Sequence, residues 1–206
     1  MKEKTQIFII HGGMTFKSKK DYLEDLKNKT IYIEKMDYWA HEFLDAKLGK
    51  DFDIIRPKMP LKENAKYAEW KIFFDKHIPF FKDNVILIGT SLGGIFLAKY
   101  LSENILPNPA LSVYLVTPPF DGSLSEEDLA GGFKLKKGLT LIEKNCKNVT
   151  LCFSEDDNIV PVAHADKYKK KLKNANIFIY KNRNGHFIVP EFPELVKMIK
   201  KDIENI

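Results

Sequence analysis

The stretch VILIGTSLGGIFLAKYL, residues 85–101, consists of two apolar segments separated by a glycine-rich turn. Residues 85–88 are valine, isoleucine and leucine, which favours a buried strand. Residues 94–101 are predominantly apolar and long enough to form a helix that packs against a sheet. The pentapeptide GTSLG between them places Ser91 two residues from a glycine on either side. The sequence therefore predicts a strand, a sharp turn at Ser91 and a helix.

Short apolar runs elsewhere in the chain resemble residues 85–88 and alternate with longer amphipathic stretches. The runs lie at residues 7–10, 52–55, 111–116, 149–153 and 177–180. Helices are predicted at residues 62–81, 94–101, 163–172 and 193–203. Because strands that alternate with helices form βαβ units with right-handed crossovers, the pattern predicts an α/β fold. We expect a three-layer α/β/α sandwich around a mostly parallel sheet of about six strands.

Two regions fit this alternation less well. Residues 28–50 include an additional turn or loop at 31–33 and then an aromatic segment at 38–44 that predicts a helix. Residues 120–137 are rich in glycine, serine and acidic residues and follow the end of a predicted strand. Since ligands bind at the carboxyl ends of parallel strands, we expect this second region near the ligand face.

The bulk composition is that of one globular domain. A chain of 206 residues with 44% hydrophobic content can bury a single core, which predicts one domain spanning residues 1–206. Its net charge of +5 comes almost entirely from lysines interleaved with acidic residues, and Arg56 and Arg183 are the two arginines. Arginine is the preferred residue for nucleic-acid recognition, so we expect no nucleic-acid partner.

The sequence carries no signal for a membrane, a metal or a cofactor. The first residues are polar, and the run at 7–10 is too short for a signal peptide or a membrane span, so we expect a cytoplasmic protein. Cys146 and Cys152 are too few for a disulfide framework, and Cys152 is expected to be a buried thiol. Because the histidines show no zinc-ligand spacing, we expect neither a metal nor an organic cofactor.

The turn around Ser91 has two interpretations. A glycine-rich turn between a strand and a helix can hold a phosphate at the helix N-terminus. The pattern G-x-S-x-G in the same context is typical of a nucleophilic serine held on a sharp turn. The choice between them depends on whether an acid and a histidine follow later in the chain.

An acidic segment follows the predicted strand at 149–153. It reads SEDDNIVP, residues 154–161, and offers Asp156 and Asp157 at the carboxyl end of that strand. A carboxylate in this position can orient a histidine and stabilise its protonated form. Aspartate is also common in loops that cap a helix, so either residue can instead serve as a cap.

A histidine follows the last predicted strand, in the segment NGHF at residues 184–187. A loop after a terminal strand can bring His186 over the sheet, where its Nε2 atom can accept the Ser91 proton. An isolated histidine of this kind would be interpreted as a surface residue. The order serine, aspartate, histidine, with each residue after a strand, is that of α/β-hydrolases. The sequence therefore predicts a catalytic triad of Ser91, His186 and an aspartate at 156 or 157.

The segment IIHGGM, residues 9–14, follows the first predicted strand. Enzymes with this arrangement place here a loop that supplies one backbone N–H to the oxyanion, and the residue after the nucleophile supplies another. We expect these donors at Gly13, with Met14 as the alternative, and at Leu92. His11 is expected to make structural hydrogen bonds.

Together these motifs resemble the small single-domain α/β-hydrolases of the retinoblastoma-binding-protein-nine and YdeN-like type. The residues that carry the resemblance are 10–13, 89–94, 154–161 and 185–187. The resemblance implies little or no cap domain and hydrolysis of small esters. It also implies that the second of the paired aspartates, Asp157, serves the histidine. Residues 28–37 depart from the compact pattern of this family.

The expected function is that of a serine hydrolase that cleaves a small carboxylic ester or related acyl bond through an acyl-enzyme. Two alternatives use the same sequence features: a protein-binding module on a hydrolase scaffold, and an acyltransferase that uses the same triad. The expected partner is a small-molecule acyl substrate. The residues that flank the strand ends and are expected to bind it are Met14, Phe120, Ile159 and Phe187, together with others from residues 120–133.

Overall fold

The computed structural model describes residues 4–31, 33, 37–125, 127–136 and 138–205. The predicted turn or loop at 31–33 and the segments 28–37 and 120–137 are therefore described in part. Residues 32, 34–36, 126 and 137, which belong to them, lie outside the described residues. Within the described part of the chain, no helix is long and apolar enough to cross a membrane.

A sheet of six parallel strands forms the centre of the described structure, in the order β2-β1-β3-β4-β5-β6. The strands are β1 (Thr5–Ile10), β2 (Phe52–Ile55), β3 (Ile86–Thr90), β4 (Ala110–Val116), β5 (Cys146–Ser154) and β6 (Asn176–Tyr180). Each predicted apolar run overlaps one of these strands. The predicted α/β fold with a sheet of six strands is confirmed, and every strand pair in it is parallel.

Helices cover both faces of the sheet. They are α1 (Lys19–Asn28), α2 (Leu44–Leu48), α3 (Tyr67–Asp75), α4 (Leu92–Glu103), α5 (Thr140–Asn145), α6 (Ala163–Lys169) and α7 (Pro193–Glu204). Buried residues of α3, α4, α5 and α6 form one apolar core with the sheet, and those of α2 and α7 form a second. The predicted three-layer sandwich is therefore observed, and both cysteines are buried and free within it.

Several helix boundaries differ from the prediction. The helix expected at 62–81 is regular only at Tyr67–Asp75, with 3₁₀ turns at Lys62–Asn64 and Ile78–Phe80. Pro79 in the second turn has no N–H to donate, which explains why the helix does not continue. The segment at 38–44 forms a π-helical turn at Trp39–Phe43 that leads into α2, with non-helical dihedral angles at one residue.

Two helices were not predicted. No residue of α1 is buried, so its sequence lacks the apolar stripe that identifies a packed helix. Helix α5 spans only six residues and has too few positions to show a helical period.

The strand order places a crevice between β1 and β3. β1 pairs with β2 on one side and with β3 on the other. The connection that leaves β1 leads to β2 on one side of it, and the connection that leaves β3 leads to β4 on the opposite side. In open parallel sheets the ligand site lies at the carboxyl ends of the strands at this switch point. The turn that contains Ser91 follows β3, and the loop at 11–14 follows β1.

Candidate active site

Ser91 lies at a strained turn between β3 and α4. Its backbone has φ 51° and ψ −119°, which residues with a side chain rarely adopt. The Ser91 N–H donates to the Val116 carbonyl at 2.8 Å, which ties the turn to the neighbouring strand β4. Strain of this kind persists only where the surrounding structure enforces it, and it is concentrated at functional sites.

The two glycines on either side of Ser91 are required by close packing. A Cβ atom on Gly89 would lie 2.5 Å from the Gly93 carbonyl oxygen. A Cβ atom on Gly93 would collide with the Ile10 carbonyl oxygen and lie 2.5 Å from that of His11. The glycines therefore let the start of α4 pack against the end of β1, which brings the serine turn beside the loop at 11–14.

His186 and Asp157 form a hydrogen-bonded pair. The Nδ1–H of His186 donates to the two carboxylate oxygens of Asp157 at 3.0 and 2.8 Å. Asp157 Oδ1 also accepts the backbone N–H groups of Ile159 and Val160, each at 2.9 Å. The Asp157 side chain is fully buried. These contacts fix the orientation of the imidazole, and in the neutral ring they place the proton on Nδ1 and leave Nε2 as an acceptor.

The Nε2 atom of His186 is buried and makes no hydrogen bond to another described residue. Buried polar atoms without a partner are rare in folded proteins and require an explanation. His186 and Ser91 line the same pocket. An unprotonated Nε2 in this pocket is the arrangement that a general base for Ser91 requires, and catalytic hydrogen bonds often tighten only when substrate binds.

Asp156 anchors the loop that carries His186 rather than contacting the imidazole. Its carboxylate accepts the Arg183 N–H at 2.9 Å, the Gly185 N–H at 2.8 Å and the hydroxyl of Ser154. Burial raises the pKa of this carboxyl, but the three hydrogen bonds outweigh that effect and hold the pKa below its usual value. The two adjacent aspartates therefore have different roles: Asp157 orients the histidine, and Asp156 positions its loop.

The same loop is held from the other side by Arg183. Its guanidinium lies 4.0 Å from the centre of the Tyr180 ring and 5.3 Å from that of Phe192. One guanidinium nitrogen donates to the carboxylate of Glu194 at 2.6 Å. Because this arginine stacks on aromatic rings and forms an ion pair with α7, it serves the packing of the loop.

The loop after β1 lies beside Ser91 and contains the predicted oxyanion donor. A Cβ atom on Gly12 would lie 3.3 Å from Ser91 Cβ, and one on Gly13 would lie 3.3 Å from the Leu92 side chain. The Met14 N–H donates to the Lys62 carbonyl at 2.8 Å and is therefore engaged. The Gly13 N–H makes no hydrogen bond to another described residue. Leu92 is the first residue of α4, so its N–H has no acceptor within that helix.

His11 connects the loop after β1 to the loop after β2. Its Nε2 atom accepts the Met59 N–H at 3.0 Å, and its Nδ1–H donates to the Gly12 carbonyl at 2.6 Å. Burial lowers the pKa of His11, and the nearby positive charge of Lys62 lowers it further. The ring is therefore neutral and structural, which agrees with the role that the sequence predicts.

A pocket of about 600 Å³ opens at the switch point and contains Ser91 and His186. Its apolar lining residues are Ile9, Met14, Tyr38, Ala40, Pro57 and Ile188, and its charged ones include Arg56, Lys58, Lys62 and Glu127. Of the four residues predicted to bind substrate, Met14 lines this pocket, and Glu127 comes from the predicted range 120–133.

The other three predicted substrate-binding residues lie outside this pocket. Phe120 packs its ring against Tyr168 at 5.0 Å between centres and contacts the first core, as does Ile159. Phe187 is buried in the second core, where it packs against aromatic rings of β6 and of the segment before α7. Its φ of 54° turns its side chain away from that of His186. Apolar character next to a candidate catalytic residue was therefore a poor guide to the pocket wall.

Sequence reasoning missed the wall formed by Tyr38 and by the loop after β2. That loop carries Lys58 and Lys62 and leaves the carboxyl end of a strand next to the switch point, which is the signal that could have found it. Tyr38 directly precedes the π-helical turn. Its position in the pocket could not be predicted from the sequence, because the course of the segment before it was not predicted. Among the described residues, no group of three or more His, Cys, Asp or Glu side chains is arranged to hold a metal ion.

The fold described above is the α/β-hydrolase fold. A chain with the same arrangement is the product of the ydeN gene of Bacillus subtilis, with a TM-score of 0.73 and 16% identity over 98% of this chain and 100% of that one. A protein described as a YdeN-like hydrolase from Pectobacterium atrosepticum has a TM-score of 0.64 and 13% identity over 97% and 91% of the two chains. The resemblance to the YdeN-like type is therefore confirmed for the fold.

An esterase of Pyrococcus furiosus is also similar, with a TM-score of 0.60 and 14% identity over 99% of this chain and 82% of that one. No protein-family model and no curated protein sequence matches the chain. At these identities the solved structures establish the fold, while the chemistry must be argued from the residues of this chain.

Proposed function

We propose that the chain is a serine hydrolase that cleaves a small carboxylic ester, or a related acyl bond, through an acyl-enzyme on Ser91. The observation that carries the proposal is the contact of His186 Nδ1 with the buried Asp157 carboxylate, which leaves an unpaired Nε2 in the pocket of Ser91. A serine needs such a base because its hydroxyl is a weak nucleophile when protonated.

The first half of the reaction forms the acyl-enzyme. Ser91 Oγ attacks the carbonyl carbon while its proton passes to His186 Nε2, and the carbonyl oxygen becomes an oxyanion. The N–H groups of Gly13 and Leu92 stabilise that oxyanion, and the charge of Asp157 stabilises the imidazolium. The intermediate then collapses: the bond to the alcohol oxygen breaks, and His186 donates its proton to the leaving alcohol.

The second half releases the acid. Water attacks the acyl-enzyme carbonyl while His186 Nε2 accepts its proton, and the same two N–H groups stabilise the second oxyanion. Ser91 Oγ leaves with the proton from His186, which returns the site to its starting state. No step in this cycle transfers an electron or needs a co-reactant other than water.

The test combines labelling and turnover. A fluorophosphonate probe should add to Ser91, which peptide mapping by mass spectrometry can locate, and the protein should hydrolyse p-nitrophenyl acetate. In Ser91→Ala both should be lost, with kcat lower by roughly 10⁴-fold or more. Ser102→Ala is the matched control, because Ser102 lies in α4, the helix that follows Ser91, and donates to the Lys99 carbonyl. Hydrolysis that persists in Ser91→Ala would contradict the proposal.

A further inference from the structure

The charges that line the pocket of Ser91 are unbalanced. Three basic side chains, Arg56, Lys58 and Lys62, line it, and Glu127 is the carboxylate among its described lining residues. The remaining lining is mainly apolar. A pocket of this kind favours a ligand with an apolar part and a negative charge, because its exposed lysines attract anions while the apolar wall contacts the rest of the ligand.

Arg56 is already neutralised by the protein. Its Nε–H donates to the Ala40 carbonyl at 2.8 Å, and one terminal nitrogen lies 2.8 Å from Asp45 Oδ1 and 3.3 Å from the His41 carbonyl. These contacts use the Nε–H and one terminal nitrogen, and the ion pair with Asp45 offsets the arginine's charge, which weakens its attraction for a further anion. Its role is to hold the π-helical turn against the loop after β2.

The two lysines are not neutralised in the same way. Lys58 makes no ion pair or hydrogen bond with another residue in the described ranges. Lys62 has its Nζ atom 3.8 Å from Glu63 Oε1, and the other oxygen of that carboxylate lies 3.0 Å from Lys29. Both lysine charges are therefore available to a ligand.

The loop that carries these lysines has a fixed path. Pro57 and Met59, which flank Lys58, are buried, so the side chain between them is directed outward. The Met59 N–H donates to His11, and the Lys62 carbonyl accepts the Met14 N–H. The loop is thus bound at two points to the segment that contains Gly13, which places both lysines at a set position relative to the proposed oxyanion donors.

We propose that the pocket selects esters that carry an additional carboxylate group, which Lys58 and Lys62 hold while Ser91 attacks the ester carbonyl. This proposal rests on the proposed function. A carboxylate fits better than a phosphate, because phosphate sites commonly add free backbone N–H groups at a helix N-terminus to their cationic side chains. Here the N–H groups of Gly13 and Leu92 are assigned to the oxyanion, and the charge of Arg56 is paired with Asp45.

The experiment compares anionic esters with neutral esters of nearly the same shape. One pair varies the acyl side: the p-nitrophenyl monoester of adipic acid and its terminal amide. The other pair varies the alcohol side: 4-carboxyphenyl acetate and 4-carbamoylphenyl acetate. We expect kcat/KM, after subtraction of the uncatalysed rate, to favour the anionic ester of at least one pair by about three- to tenfold at low salt. The preference should shrink at about 0.5 M salt.

Paired substitutions locate the effect. In the double variant Lys58→Gln, Lys62→Gln the preference should fall towards unity. The control variant Lys170→Gln, Lys171→Gln removes the same net charge from two exposed positions after α6, outside the pocket, and should keep the preference. A preference that persists without Lys58 and Lys62, or equal kcat/KM within both pairs, would overturn the proposal.

The same assays separate this proposal from the one on which it rests. Turnover of the neutral esters by the wild-type chain, and its loss in Ser91→Ala, tests hydrolysis alone. If the neutral esters are hydrolysed and neither carboxylate is preferred, the selectivity is wrong and the hydrolase assignment stands. If none of the four esters is hydrolysed and Ser91 is not labelled, both proposals are wrong.

Discussion

The Oδ2 atom of Asp156 lies 2.8 Å from the backbone nitrogen of Gly185, the residue before His186. Asn184, Gly185 and Phe187 all have positive φ, at 52°, 72° and 54°, so this loop has a path that its sequence alone would rarely adopt. A charged acceptor for two of its N–H groups offsets that strain. The direction of the His186 ring therefore depends on a carboxylate that does not touch it.

The Asp156→Asn variant tests this dependence. Arg183 and Gly185 donate to different carboxylate oxygens, and in asparagine one of these becomes an NH2 group that cannot accept, so one N–H loses its partner and the His186 ring should move. Since a small misplacement of a catalytic group has a large effect on rate, we expect kcat for p-nitrophenyl acetate to fall about ten- to hundredfold with little change in KM. Glu155→Gln, at the exposed adjacent position, is the control. An unchanged kcat in Asp156→Asn would show that the loop holds its path unaided.

The proposed oxyanion donors can be located in a crystal structure of a phosphonate adduct on Ser91. The phosphonyl oxygen should lie about 2.7–3.1 Å from both the Gly13 and the Leu92 nitrogens. The Met14 nitrogen should remain bonded to the Lys62 carbonyl, with the 2.8 Å distance given above. A contact from Met14 in place of Gly13 would show that the loop rearranges on binding.

The packing of Gly93 on β1 predicts a large effect of one methyl group. In Gly93→Ala the new Cβ atom would collide with the backbone of Ile10, which cannot move without disturbing the sheet. We expect the free energy of unfolding, measured in urea, to fall by about 3 kcal/mol. Gly122→Ala adds the same atom where nothing lies within 4 Å, and should change stability by less than about 0.5 kcal/mol. Equal stabilities of the two variants would contradict the packing argument.

The stability of the chain should decrease as the pH falls below the usual pKa of histidine. Burial lowers the pKa of both His11 and His164, and each ring accepts a backbone N–H, from Met59 at 3.0 Å and from Phe120 at 2.8 Å. Below a pH of about 6.5 the unfolded chain therefore binds protons that the folded chain does not, so acid favours unfolding.

Urea unfolding at pH values of about 7.5 and 5.5 measures this loss. The variant His164→Asn removes one of the two groups and should lose less stability over the same interval. If the wild type and the variant lose equal amounts, the buried imidazole of His164 is not a source of the pH dependence.

The strands and the positions of the serine turn, the paired aspartates and the histidine at their ends could be predicted from the sequence, and the pocket wall could not. Buried parallel strands are continuous apolar runs, and the serine turn, the paired aspartates and the histidine each follow one of them. The pocket wall depends on where loops go after they leave the sheet. In the sequence, Lys58 is a polar residue in a loop that contains two prolines. It borders the site because its neighbour Met59 donates a hydrogen bond to His11, which the sequence does not reveal.

Phe187 is the converse case, a residue that was predicted to line the pocket and lies in the core instead. Its position beside His186 and its apolar ring favoured a place in the acyl pocket. A positive φ, which the sequence does not reveal, turns the ring into the core beside Tyr180 and Phe192. Local sequence patterns predicted the candidate catalytic residues, whereas backbone geometry determines which residues surround them.

The position of β6 at the edge of the sheet has a consequence for the synthesis of the protein. In the described sheet β6 pairs only with β5, and the loop that carries His186 follows it. A ribosome that has reached Tyr180 has already produced Ser91, the loop after β1 and Asp157, but not the histidine proposed to activate the serine. Because a domain folds as a unit, the proposed nucleophile should stay inactive in the nascent chain until the segment after β6 has been made.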